Sequence, residues 1–207
     1  MPHVITEEAR QLACQFYDQH PALLGIPPNL MGVAQQLGVL VYRAQFEQTE
    51  LFAQVELGAQ ASSITLQKGL TVQRARFVLA KALAKKLMGQ VGEFQITQDS
   101  CRLDDAQLSE NSLAACLLVP PQCLSPVYVK SANLAQFAEH FQVGEACAVF
   151  VLESRFGHAT LQPAKELRLA LRQATRTQKP TTDVGDSLLR DGLEIAAGVA
   201  LGSLFGS

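Results

Sequence analysis

The segment Arg74 to Met88, R-A-R-F-V-L-A-K-A-L-A-K-K-L-M, contains no helix breaker and is dominated by Ala, Leu and Lys, all strong helix formers. On a helical wheel Phe77, Ala80, Leu83, Ala84, Leu87 and Met88 form one broad apolar face. Lys81 and Lys85 lie together on its flank, four residues apart, where like charges cost a few tenths of a kcal/mol unless an acid sits nearby. The plainest expectation is two solvated or salt-bridged lysines beside a core stripe.

The flanking segments are readable as well. Thr6 with Glu7-Glu8 starts a helix striped by Ala9, Leu12, Ala13, Phe16 and Tyr17. Gly25 to Asn29 is a turn, and Leu30, Val33, Ala34 and Leu37 stripe a second helix ending at Gly38. Val39 to Tyr42, Glu50 to Glu56 and Ser63 to Leu66 read as strands, with Leu51, Ala53 and Val55 sharing one side. These predict a small N-terminal sheet that delivers the chain into the Arg74 to Met88 helix. Phe94 to Ala106 is polar and reads as irregular, followed by a helix across Asp105 to Val119. Leu134, Ala135, Phe137, Ala138 and Phe141, then Ala146, Val149, Phe150 and Leu152, stripe two more helices. The expected fold class is α+β, mostly helical.

Three of these segments resemble, in order, the ImmA/IrrE family of zinc metallopeptidases. Arg76 to Gly89 is similar to that family's active-site helix, approximately R-F-T-L-A-H-E-L-G-H-x-L-L. Gln107 to Pro120, Q-L-S-E-N-S-L-A-A-C-L-L-V-P, is similar to its second signature, approximately E-x-x-A-N-x-F-A-A-x-L-L-M-P, and Asn133 to Gly157 to its C-terminal helical pair. The resemblance implies a metallopeptidase-like domain over residues 1–160, in a family that acts in bacterial and mobile-element regulation by recognising and cleaving a repressor. Its zinc chemistry requires two His at i and i+4, a Glu between them and a third carboxylate ligand. At those positions stand Lys81, Lys85, Ala82 and Gln107. An ammonium has no lone pair for a metal, alanine moves no proton, and a neutral amide is a poor zinc ligand. A slip of register brings Glu110 nearer the site, still without His partners.

The expectation is therefore a pseudoenzyme, with no catalytic residues, no metal and no cofactor, acting through protein–protein binding. His3, His20, His140 and His158 are scattered, and no P-loop, G-x-S-x-G or G-x-G-x-x-G is present. One alternative keeps an enzyme in the groove, with Lys81 or Lys85 working with Glu110, or Cys116 as nucleophile. The five cysteines form no C-x-x-C pair and read as free thiols of a cytoplasmic protein, an expectation that the absence of a leader-like N-terminus supports. A net charge of −2 argues against a nucleic-acid partner.

Residues 161–174 predict an amphipathic helix, 175–186 a linker and 187–207 a glycine-rich apolar tail. Gly198, Gly202 and Gly206 repeat every fourth residue, with Leu193, Ile195, Val199, Leu201, Leu204 and Phe205 as anchors. The tail is shorter than the ~20 apolar residues of a membrane span. It reads as a docking peptide for a partner or a second copy, or as a segment folding back on its own domain, which keeps open an adaptor subunit of a phage or plasmid assembly.

Overall fold

The computed structural model describes residues 4–97, 107–124 and 134–156. Helices α1 (Glu7–Gln19) and α2 (Leu30–Gln36) precede strands β1 (Val39–Ala44), β2 (Ala53–Leu57) and β3 (Ser62–Gln67). Helix α3 (Val72–Leu87) leads to strand β4 (Gly92–Ile96), and α4 (Leu108–Leu118), α5 (Leu134–Phe141) and α6 (Glu145–Phe156) follow. The fold is α+β. The chain divides into two units, residues 1–154 and 155–207, and of the second only Arg155 and Phe156, the end of α6, are described. The 161–174 helix, the linker and the tail with Leu193, Ile195, Gly198, Val199, Gly202, Leu204 and Phe205 lie outside the described residues. No helix among the described residues is long and apolar enough to cross a membrane.

The helix starts follow from capping chemistry. Thr6, Asn29 and Thr71 each accept a backbone N–H of the first turn, from Ala9, Gly32 and Arg74 respectively. Glu7 and Glu8 face the positive end of the α1 dipole, and Lys85 and Lys86 the negative end of α3. Gly38, at φ +64°, turns the chain from α2 into β1, a left-handed conformation that a side chain would strain.

The sheet order is β1-β3-β2-β4, with β1 parallel to β3 and β2 antiparallel to both β3 and β4. Alternation puts Val39, Ala53, Val55, Leu57, Ile64, Leu66 and Ile96 on the inner face, buried against the helices. Gln54, Glu56, Glu93 and Gln95 face outward and are exposed. The sheet extends beyond its expected N-terminal strands: β4, in a stretch that reads as irregular, adds a fourth strand after α3. Only Phe94 and Ile96 of β4 turn inward, so its polar composition is that of an exposed edge strand.

Helix α4 is the hub. Asn111 to Leu118 are all buried, so beyond its first turn the helix is enclosed and has no solvent face to pattern. Helix α3 packs along one flank of it and α1 along another. The Tyr17 hydroxyl of α1 donates to the Leu117 carbonyl at 2.7 Å, and Thr6 N–H donates to Ser112 Oγ at 3.3 Å. Ile5 N–H reaches Ser154 Oγ of α6 at 3.0 Å, closing the bundle. Met88, expected in the α3 core stripe, is instead 40% exposed, because it caps the helix and leaves the packed face with the last turn.

Candidate functional site

The α3 face that meets α4 carries Lys81 and Lys85 one turn apart, and the start of α4 carries Gln107 and Glu110 one turn apart. The two pairs interlock. Lys81 Nζ donates to Gln107 Oε1, and Lys85 Nζ lies 2.5 Å from Glu110 Oε1. Three of the four zinc-site positions, Lys81, Lys85 and Gln107, are thus brought to one α3–α4 seam, while the fourth, Ala82, turns into the core and is fully buried.

Of the two expectations for the lysine pair, solvated or salt-bridged, Lys85 meets the second through Glu110, whereas Lys81 is only 3% exposed and so is not solvated. The wheel places it at the margin of the apolar face, and the start of α4 covers that margin. A buried ammonium must be hydrogen-bonded, and Gln107 supplies one acceptor. Lys85 and Glu110 are 12% and 15% exposed at their side chains, so this ion pair is largely withdrawn from water. Gln90 completes it: its Nε2 donates to Glu110 Oε1 at 3.2 Å while its Oε1 accepts from Lys85 Nζ at 3.3 Å. Lys85 Nζ also stands 4.7 Å from the centre of the Phe94 ring of β4, close enough for a cation–π contact. The neighbouring Lys86 turns the other way and donates to Gly58 O at 3.1 Å and Ser62 Oγ at 2.9 Å.

Gln90 and Phe94 escape a sequence reading, since neither lies in a motif. The signal that points to Gln90 is its place just beyond Gly89, whose φ of +73° reverses the chain at the end of α3. Arg76, the first residue of the resembling helix segment, serves the packing of the fold. Its Nη2 donates to Pro28 O at 3.2 Å, holding the turn before α2. Burial lowers the Arg76 pKa from its ordinary value, opposed by the nearby Tyr17 phenol, whose own pKa burial pushes up.

Chemically the seam offers no donor set for a metal. The ammonium groups of Lys81 and Lys85 have no lone pair to offer a metal, and Gln107 and Glu110 already accept from them. The residues present do not fit a zinc ion. Among the described residues no three His, Cys, Asp or Glu side chains gather at one point. The Cys116 thiol is buried inside α4, and desolvation pushes its pKa up to about 12, which disfavours the thiolate that a nucleophile needs. A hollow of about 330 Å3 over β2 and β4 is lined by Gln54, Val55, Glu56, Glu93, Phe94 and Gln95, with neither lysine opening into it. The chain matches no protein-family model, and no curated protein matches it.

Proposed function

We propose that this chain is a zinc-free, catalytically inert relative of the ImmA/IrrE peptidases that works by binding another protein in bacterial or mobile-element regulation. The observation that carries the reading is the interlocked α3–α4 seam. The positions where the resemblance expects two His and a carboxylate are filled by groups that bond across the seam: Lys81 to Gln107, and Lys85 to Glu110. Tying the two helices together in this way keeps the peptidase-like frame without ligands for a metal. Binding through that retained frame, through the 187–207 tail, or through both follows from the same reading.

Two measurements test it. Purified parent protein is expected to carry zinc far below one ion per chain. The variant Lys81→His/Lys85→His/Gln107→Glu, which restores three donors at converging positions, is expected to take up one. Stoichiometric zinc in the parent, lost on Lys81→Ala, would sink the proposal. A pull-down with full-length and tail-deleted protein then locates the binding surface. Capture that survives tail deletion assigns it to the frame, and capture lost with residues 187–207 assigns it to the tail.

A further inference from the structure

We draw no further inference here: the strongest candidate, the hollow over β2 and β4 where Glu56 stands opposite Glu93, is a pair of exposed carboxylates on a solvent-facing stretch of sheet, and nothing in the structure shows what covers it.

Discussion

The Lys85–Glu110 pair offers the most quantitative test of the α3–α4 seam. At 2.5 Å and an effective dielectric of ~20 the gross attraction is roughly 7 kcal/mol, and desolvation of two side chains that are 12% and 15% exposed offsets much of it. Removing one partner is therefore expected to cost at least as much as removing both. Lys85→Met leaves a withdrawn carboxylate held by the Gln90 amide, without its counter-ion, a loss of about 3 kcal/mol. Glu110→Leu leaves Lys85 with Gln90 Oε1 and the Phe94 ring, so about 2 kcal/mol is expected. The double variant replaces the ions with apolar groups of similar volume. Its remaining cost, about 2 kcal/mol, comes from Gln90 losing both partners. The cycle then gives a coupling energy of about 3 kcal/mol.

Urea unfolding of the four proteins at pH 7, with unchanged m-values, measures it. Because the pair is largely out of water, most of the coupling should survive 1 M NaCl, where an exposed pair would be screened to almost nothing. Additive single variants, with a coupling under about 0.5 kcal/mol, would refute the reasoning and return the Lys85–Glu110 pair to the surface.

Three further outcomes follow from the same geometry. Tyr17→Phe removes the hydroxyl that serves the Leu117 carbonyl inside the bundle and should cost about 1–2 kcal/mol by denaturant unfolding. Ala82→Glu puts a carboxylate at a fully buried α3 position and should cost about 3 kcal/mol or more, read as a large fall in the thermal midpoint. The Cys116 thiol keeps its proton to about pH 12 when folded, but loses it near 9 when unfolded. Stability is therefore full below pH 9 and falls as pH rises from 9 towards 12, by up to about 1.4 kcal/mol per unit from this group. Cys116→Ala should flatten that part of the alkaline unfolding curve.

How much of this was legible depended on whether a residue's state is local. The helices α1, α2, α5 and α6 and the strands β2 and β3 follow from each segment's own periodicity, but with differences: Ala135 of α5 and Ala146 of α6, expected in the apolar stripes, are exposed, and β2 begins at Ala53 rather than Glu50. β4 is different. Its residues from Phe94 on fall in the polar stretch that reads as irregular, and its strand state comes from hydrogen bonds to β2, a partner more than thirty residues earlier. Lys81 is legible as a helix residue but not as a buried one. Its burial depends on where α4 begins to cross α3, and α4, enclosed beyond its first turn, carries no amphipathic pattern to reveal its orientation. The register between positions 81 and 107, and between 85 and 110, exists only in the packed pair.

That register bears on what the seam is for. Lys and Gln are costly to bury, and two apolar residues would hold α3 against α4 at least as firmly. A polar bridge differs from an apolar one in direction: Lys81 reaches Gln107 and Lys85 reaches Glu110 only when the helices are at one axial offset, since a slip of one turn would strand an ammonium in the core. An apolar seam tolerates such a slip more readily. In a metallopeptidase, ligation of one ion by both helices would impose the same kind of constraint. On the reading proposed here, the lysine bridge keeps that axial precision without the ion, which fits a frame whose shape is its function.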